Sequence, residues 1–313
     1  MSIICDYLNR ITWHVMLGIV LGMNLSGMAR AESVPSHIWT PNTLTSIKTG
    51  GQDGPSIAAL ELNTLLDSQR ELGCNSPQNA LQSALCAGEI RIGVRNSYKA
   101  FGDLVDGELE GFEIDYANYI ADKLGVTPIF VPVTAANRIR KLIDGDIDLI
   151  LATMAHTPAR AEIVSFIQPH YYSSPTAVAG FKKHKVGGIE ELDNVALCVP
   201  LGSYSNIAFA KAQARTLIFS TPQQMFDALR FGACDLVAHD RSLILAEVTG
   251  QMAPASMRAN FDEKFSFNEI PWGMAVRHAD ENTLGKALAL ITGEAHGQGV
   301  LIAQALGQCG HTA

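Results

Sequence analysis

Two side chains combine the chemistry and the setting that binding a charged small molecule requires. Arg160 lies just inside a helix that Thr157 and Pro158 are expected to open, and an arginine fork beside free helix N–H groups suits a carboxylate. Asp240 follows a short buried strand, where its carboxylate either accepts from an ammonium group or caps the next helix. Together, the two side chains offer a donor for an anion and an acceptor for a cation.

Other kinds of chemistry have little support in the sequence. The nine histidines lack the H-x-H and H-x-x-x-H spacings of metal sites, and the six cysteines form no C-x-x-C pair. Ser203, His239 and Asp240 lack the G-x-S-x-G elbow of a hydrolase, and adjacent residues of a strand point to opposite faces. We therefore expect no catalytic residue, no metal and no cofactor.

The elements that must hold these residues alternate between strands and helices. Apolar patterns predict strands at 90–94, 128–133 and 147–152, with helices at 113–124 and 135–144 between them. Asp106-Gly107 predicts a hairpin-type turn, and Gly125 is expected to end the first helix. The alternation then restarts, with predicted strands at 176–181, 195–199, 217–219, 235–238 and 270–276, and helices that include 202–214, 280–293 and 297–307. Two such α/β units predict two open sheets, with a ligand cleft between them at the carboxyl ends of strands.

Composition and the N-terminal segment limit the partners. The 313 residues are 47% hydrophobic and 17% charged, which excludes a disordered chain. The formal net charge is −8, and a negative field repels phosphate backbones, so we expect no nucleic-acid partner. Residues 11–27 form an uncharged apolar run between Arg10 and a small-residue cleavage site. This layout predicts a signal peptide at 1–31 that is cut after Ala31, with an uncleaved membrane anchor as the alternative.

Residues 32–87 look like an N-terminal extension to the α/β pattern. Residues 33–56 are rich in Ser, Thr, Gly and Pro, and 57–72 predict one helix that Gly73 ends. Five cysteines follow the signal peptide, and an exported chain can keep disulfides. Cys74 and Cys86 are the nearest pair in sequence and the expected bridge, whereas the sequence does not pair Cys198, Cys234 and Cys309.

Five blocks of the sequence resemble those of one protein family. They are GFEIDYANYIADKLG at 111–125, the segment 133–172 with its N-R pair and T-x-x-R, Gly202-Ser203 after a strand, DLVAHD at 235–240 and PWGMAVR at 271–277. Over roughly residues 88–308 the chain resembles the family 3 extracellular solute-binding proteins, the periplasmic polar-amino-acid receptors of ABC importers. The resemblance implies an α/β, two-lobed periplasmic-binding-protein fold, with helices on both faces of open sheets and two crossing strands as the hinge. It places lobe one at 88–180 and 270–313, and lobe two at 181–269.

The resemblance also implies roles for individual residues. The arginine that matches Arg160 holds the ligand α-carboxylate, and the residue that matches Asp240 accepts from the ammonium group. Further ligand contacts are implied for hydroxyl and aromatic side chains: Thr153, Ser203, Tyr204, Tyr98 and Phe101. Each of these also has a purely structural interpretation as a strand end, a helix start or loop packing. Ala155 departs from the family pattern, which has Ser or Thr there, so one bond to the carboxylate is missing or is made by water.

Selectivity is expected to depend on Arg95 and Arg138. The position of Arg95 is often aspartate in relatives that bind cationic amino acids, and Arg138 belongs to the N-R pair. Two arginines at the side-chain end of the site favour a second carboxylate, as in relatives that bind glutamate and aspartate. The alternative for Arg138 is a scaffold contact within lobe one.

The resemblance implies a function and leaves two others open. We expect a monomeric, non-enzymatic periplasmic protein that binds an amino acid, preferably glutamate or aspartate, and delivers it to an ABC permease in the inner membrane. A periplasmic enzyme on the same fold, like the cyclohexadienyl dehydratases, is the first alternative, because a fold does not fix a function. A ligand-sensing module for a partner protein is the second, and the extension at 32–87 is its only support.

Overall fold

The computed structural model of the protein describes residues 55–250 and 253–298. The expected signal peptide at 1–31 with its cut after Ala31, most of the segment 33–56, Cys309 and nearly all of the helix expected at 297–307 lie outside the described residues. No helix within the described ranges is both long enough and apolar enough to cross a bilayer.

Sheet one contains the first predicted α/β unit. Its strand order is Thr127–Pro132, Glu89–Val94, Leu149–Ile150, Ala275–Val276 and Ser165–Phe166. The first three strands are parallel, and helices Phe112–Leu124 and Arg138–Ile143 make the connections between them. The strand Ala275–Val276 returns from the far end of the chain and is antiparallel to both of its neighbours.

Sheet one is covered on both faces because its central strands are apolar at successive positions. Leu149 and Ile150 are both buried, yet they belong to different core clusters, as strand alternation requires. The cluster of Leu149 includes Ile120 of the first helix, and the cluster of Ile150 includes Leu142 of the second. The two connecting helices therefore pack against opposite faces of the sheet.

Sheet two contains the second α/β unit, and it is also covered on both faces. Its strand order is Arg215–Phe219, Ala196–Pro200, Leu236–Asp240, Tyr172–Phe181 and Phe261–Trp272. Leu197 and Leu236 face one core cluster, and their neighbours Cys198 and Val237 face the other. Cys198 also forms a disulfide with Cys234, a pairing that the sequence did not identify.

The remaining helices are short. They are Pro158–Ala161 in the first unit and Asn206–Lys211, Pro222–Arg230, Arg241–Ile244 and Ala255–Asn260 in the second, followed by Lys286–Gln298 after a π-turn at Glu281–Gly285. The helix expected from Gly202 begins later because Gly202 has φ +80°, which a right-handed helix cannot include. The helix expected at 280–293 is displaced along the chain, because the α-helix begins at Lys286, after the π-turn, and continues to Gln298.

The structure corrects the expected boundary between the lobes. The sequence interpretation placed 172–180 in lobe one, but strand Tyr172–Phe181 lies in sheet two, between Leu236–Asp240 and Phe261–Trp272. The strand belongs to sheet two because it pairs with an antiparallel strand more than 50 residues away. The local sequence pattern contains no information on that pairing.

The segment 270–276, in which the chain returns from lobe two to lobe one, also differs from the expectation because its pairing partners are distant in sequence. The single strand expected at 270–276 divides between two sheets, because Trp272 pairs with Tyr172 in sheet two and Ala275 pairs with Ile150 in sheet one. From here on, lobe one means residues 55–171 and 273–298, and lobe two means the described residues of 172–272.

The N-terminal extension contains two helices where the sequence predicts one. Ile57–Glu71 and Ala80–Ala87 are joined by a loop, and the predicted Cys74–Cys86 disulfide closes it. The second helix begins at Asn79, whose side chain accepts from the N–H of Gln82 at 2.9 Å. This pair of helices is integrated into lobe one, because Leu62, Leu66 and Leu81 belong to its core cluster.

A small antiparallel sheet follows the first strand of lobe one. Its strands are Ser97–Tyr98, Gly102–Val105 and Glu108–Glu110. The turn predicted at Asp106-Gly107 joins the last two strands, with φ +51° and +91° at these residues. This hairpin brings Tyr98 and the preceding Arg95 to the edge of the lobe that faces lobe two.

Candidate functional site

One cleft between the lobes contains seven of the nine residues singled out in the sequence. Its lobe-one wall carries Arg95, Arg138, Thr153 and Arg160, and its lobe-two wall carries Ser203, Tyr204 and Asp240 together with His239. The cleft contains about 460 Å³ of space, open mouth included. The convergence follows from topology, since these residues lie at or just beyond the carboxyl ends of parallel strands.

Arg160 enters the cleft from the first turn of Pro158–Ala161. Thr157 caps this helix, and its Oγ1 accepts from the N–H of Arg160 at 3.3 Å. The guanidinium donates from Nη1 to the carbonyl of Ala155 at 2.9 Å, and from Nη2 to the carbonyl of Gly202 at 3.2 Å. Gly202 belongs to lobe two, so this one side chain contacts both lobes.

Arg95 and Arg138 lie deeper in the cleft than Arg160. They are 6% and 2% exposed, and Nη1 of Arg138 donates to the carbonyl of Ala152. Within the described part of the chain, Nε of neither arginine has a hydrogen-bond partner. Burial lowers the pKa of both guanidinium groups, and the positive charges of Arg160 and Arg95 lower that of Arg138 further. Buried donors without partners favour an anion beside them.

A buried carboxylate supports this wall from behind. Glu113 is wholly buried, and its Oε1 accepts from the N–H of Thr153 at 2.6 Å and from the hydroxyl of Tyr171 at 2.5 Å. Thr153 has φ +49°, a left-handed conformation that is unfavourable for a β-branched residue. The bond from Glu113 therefore helps to hold Thr153 in an unusual conformation at the cleft surface. Burial raises the pKa of Glu113 to about 7, although both hydrogen bonds and the two deep arginines oppose the rise.

Asp240 ends a strand of lobe two and contacts lobe one. The hydroxyl of Tyr98 lies 3.2 Å from Oδ2 of Asp240 and 3.0 Å from Oγ of Ser242. Asp240 has no side-chain bond to the helix that follows it, so helix capping is not its role here. The hydrogen bond joins the hairpin of lobe one to the strand end of lobe two. Burial beside the Asp240 carboxylate raises the pKa of Tyr98 well above its usual value, which keeps the hydroxyl protonated and able to donate.

His239 is a neutral member of the lobe-two wall. Its Nδ1 accepts from the N–H of Asp240 at 2.7 Å, which requires that Nδ1 carry no proton. The 3.4 Å approach of Nδ1 to the Asp240 carboxylate is therefore not an ion pair in this arrangement.

Ser203 and Tyr204 lie in the turn before Asn206–Lys211. Oγ of Ser203 is 2.8 Å from Oγ of Ser205, and the Tyr204 hydroxyl is 2.9 Å from Oγ1 of Thr176. The ring of Tyr204 lies 6.0 Å from the guanidinium carbon of Arg160, at the limit of a cation–π contact. Tyr204 thus lies opposite Arg160 across the cleft.

Tyr98 and Phe101 lie behind the wall that forms the cleft surface. Both are buried, and Phe101 packs edge-on against Tyr98, Tyr172 and Trp272 with ring centroids 4.9–5.5 Å apart. The structure therefore places Phe101 in an aromatic core and Tyr98 in a contact between lobes. Contact of either ring with a ligand remains a prediction.

Glu113 is the site residue that the sequence interpretation missed. It lies in the first turn of Phe112–Leu124, where an acidic residue is favoured by the helix dipole in any case. The available signal was its place on the buried face, one residue before Ile114 and four before Ala117. A carboxylate on an apolar face needs a partner, and that requirement could have directed attention to it.

The arrangement presents charges of both signs to a small molecule in the cleft. Lobe one supplies three arginines, and lobe two supplies the exposed end of the Asp240 carboxylate. No three His, Cys, Asp or Glu side chains cluster as a metal site requires, as far as the described residues go. The positive charges exceed the negative ones, so the ligand that neutralises the cleft carries more negative than positive charge.

Comparisons with known proteins agree with this geometry. Residues 90–289 match the profile of the bacterial extracellular solute-binding proteins, family 3. The chain is 31% identical over 218 residues to an ABC transporter glutamine-binding protein of Bacillus subtilis, with 67% of this chain and 77% of the relative covered. It is 26% identical to a glutamate/glutamine/aspartate/asparagine-binding protein of Rhodobacter capsulatus, covering 64% and 66%.

An enzyme and a solved structure are also similar to the chain. The cyclohexadienyl dehydratase of Pseudomonas aeruginosa is 24% identical over 200 residues, which cover 61% of this chain and 73% of the enzyme. The crystal structure of a cysteine-binding protein from Campylobacter jejuni superposes with a TM-score of 0.65 at 26% identity, covering 72% of this chain and 91% of that one.

Proposed function

Because the chain belongs to the bacterial extracellular solute-binding proteins of family 3, we propose that it binds an amino acid between its lobes and delivers it to an ABC importer. The observation that carries the proposal is the division of charge across the cleft. Arg160 presents its guanidinium from lobe one, and Asp240 presents its carboxylate from lobe two. An α-carboxylate and an α-ammonium group match these two positions.

The proposed ligand is acidic, glutamate or aspartate in preference to other amino acids. Arg95 and Arg138 are buried, and each has an unpartnered Nε within the described residues. A second carboxylate would accept from these donors, whereas a cationic side chain would place like charges together in a poorly solvated cleft, at a cost of several kcal/mol. The name of the Rhodobacter capsulatus relative, which includes glutamate and aspartate, supports the same preference.

The proposed setting is the periplasm, with an inner-membrane permease as the partner and a monomer as the working form. The signal peptide predicted at 1–31 supports export, and the Cys74–Cys86 and Cys198–Cys234 disulfides suit an oxidising compartment. The names of relatives that belong to ABC transporters support the permease.

Calorimetric titration of the mature chain with the twenty amino acids and a set of dicarboxylates tests the proposal. We expect stoichiometric binding of glutamate or aspartate, weaker binding of their amides and no binding of lysine or arginine. Lysine or arginine that binds as tightly as glutamate would contradict the acidic preference, and no binding by any amino acid would contradict the function.

A periplasmic enzyme is the second candidate, and the similarity to a cyclohexadienyl dehydratase is what favours it. Such a reaction needs an acidic group that reaches the substrate. Glu113 is wholly buried behind Thr153, and Asp240 accepts a hydrogen bond from Tyr98. Recovery of a chemically changed compound after incubation would favour the enzyme, and recovery of the unchanged ligand favours the binding protein.

A further inference from the structure

The buried carboxylate behind the cleft wall has an unusual set of neighbours. Oε1 of Glu113 accepts two hydrogen bonds, from the N–H of Thr153 and from the hydroxyl of Tyr171. Oε2 is buried and has no hydrogen-bond partner among the described residues. A buried carboxylate oxygen without a donor is costly when it is charged.

The charged groups that face Glu113 come from separate segments of lobe one. Arg95 follows the strand Glu89–Val94, and Arg138 begins the helix Arg138–Ile143; both favour the charged form of Glu113. Tyr171 precedes the crossing strand and is the third titratable neighbour. Its hydrogen bond to Oε1 also favours the charged form. Burial favours the protonated form of Glu113 and opposes all three contacts. The charged and protonated forms are about equally populated at pH 7.

The same two arginines line the cleft, and so does Thr153. A charge that enters the cleft beside Arg95 and Arg138 therefore alters the field at Glu113. A carboxylate there competes with Glu113 for the two positive charges, and a neutral side chain does not.

We propose that Glu113 is a positioning residue that couples ligand charge to proton binding: it is only partly ionised while it shares Arg95 and Arg138 with no other carboxylate, and it becomes more fully protonated, by uptake from solvent, when an acidic ligand side chain enters. The inference rests on the proposed function and adds to it a residue that does not touch the ligand. The proton goes to Oε2, because Oε1 already accepts two hydrogen bonds. The proton gained offsets part of the negative charge that the ligand carboxylate brings to the buried region.

Titration calorimetry of the mature chain in two buffers with different ionisation enthalpies, such as phosphate and Tris, measures the protons taken up. At pH 7 we expect L-glutamate to bind with an uptake approaching about 0.5 proton, since Glu113 is close to half-protonated there. L-glutamine should bind with an uptake near zero. If the ligand raises the pKa of Glu113 by one unit, the affinity for glutamate falls about fivefold between pH 6 and pH 8.

Glu113→Gln is the test variant, and Glu110→Gln on the exposed hairpin is its matched control. Glutamine keeps an acceptor for Thr153 and Tyr171, but it cannot titrate. We expect E113Q to bind glutamate without proton uptake and with an affinity that no longer falls toward pH 8, whereas E110Q should retain the uptake. A wild-type uptake near zero, or an uptake that persists in E113Q, overturns the inference.

Carbon-13 labelling of the glutamate carboxyl groups gives a test that does not depend on a folded variant. The ligand-free protein should show one glutamate carboxyl that titrates near neutrality, and glutamate should move that midpoint upward. If every glutamate carboxyl titrates in the usual range, the inference is overturned even if binding is intact. If none of the ligands binds, the proposed function fails and the coupling fails with it, which is distinct from binding without proton uptake.

Discussion

At the scale of single residues, Arg160 contacts both lobes of the cleft. It donates to Ala155 within lobe one and to Gly202 of lobe two, while a helix N-terminus lies beside it. The same side chain could therefore fix a ligand carboxylate and the relative position of the lobes. Ala155 has no hydroxyl to donate, so a ligand carboxylate beside it depends more strongly on the Arg160 guanidinium.

Arg160→Ala should abolish tight binding of any α-amino acid. Loss of one partner of a desolvated charge pair costs about 2–5 kcal/mol, on the order of 100-fold or more in affinity. Arg160→Lys should recover little, because an ammonium group lacks the planar fork. Calorimetry measures the effect, with Arg140→Ala as the control, since Arg140 is an exposed partner of Asp144. An affinity for the alanine variant within threefold of wild type would show that the assigned role is incorrect.

Glu113 also predicts a pH dependence of stability. Its pKa is about 7 in the folded chain, above the value of about 4.3 expected when unfolded. The stabilisation that protonated Glu113 provides is thus complete below about pH 4.3, and it is lost as the pH rises through about 7. The shift corresponds to roughly 4 kcal/mol. Urea unfolding from pH 4 to pH 8 should show Glu113→Gln gaining stability relative to wild type across this window, and a constant difference would refute the assignment.

At the scale of elements, the N-terminal helices are part of the architecture of lobe one. Leu62, Leu66 and Leu81 pack into the same core as Leu288 and Ile291 of the last helix. The buried carboxylate of Asp280 links the N-terminal helices to the C-terminal part of lobe one. Its Oδ1 accepts from the N–H of Ala80 at 2.7 Å, and its Oδ2 accepts from Arg277 at 2.8 Å. These contacts give the described part of the extension a structural role in lobe one.

Asp280→Ala should lower the free energy of unfolding by about 1–3 kcal/mol, because it leaves the buried N–H of Ala80 without an acceptor. Urea unfolding measures this. Asp67→Ala is the control, since the Asp67 carboxylate is 69% exposed in its pair with Arg70, and exposed pairs of this kind contribute at most about 1 kcal/mol. Equal losses in the two variants would mean that the extension is not anchored at Asp280.

At the scale of the whole molecule, the lobes approach each other closely enough for backbone contact. A Cβ at Gly202 of lobe two would lie 2.8 Å from the backbone of Ala136 in lobe one. The Tyr98–Asp240 and Arg160–Gly202 hydrogen bonds cross the same interface. A ligand that contacts both walls favours this closed arrangement by its differential contacts with the two states.

Gly202→Ala should therefore oppose closure. We expect at least a tenfold loss of ligand affinity, together with a loss of the compaction that small-angle scattering should detect when wild type binds ligand. Gly232→Ala is a matched control, because Gly232 has a similar φ of +74° but nothing within 4 Å of the added Cβ. Both variants have the same backbone strain, so equal affinities would argue against a closed binding state.

The sequence by itself determined the features that local chemistry controls. Gly125, at φ +71°, ends the helix Phe112–Leu124 where predicted, and Asp106-Gly107 makes the predicted turn. Cys74 and Cys86 form the predicted disulfide because a short loop keeps them close. The convergence of Arg160 and Asp240 on one cleft was also predictable, because the strands that position them end at facing edges.

Tertiary structure decided whatever depends on partners that are distant in the chain. Strand Tyr172–Phe181 joins sheet two through pairing with residues 56 to 100 positions away, so its local apolar pattern fits either lobe. Cys198 and Cys234 meet because the sheet brings their segments together. Glu113 is ordinary as a first-turn acid and becomes a buried, near-neutral carboxylate only when Thr153 and Tyr171 close over it. Burial and electrostatics at such a position are sums over the whole fold, and a local stretch of sequence contains only part of each sum.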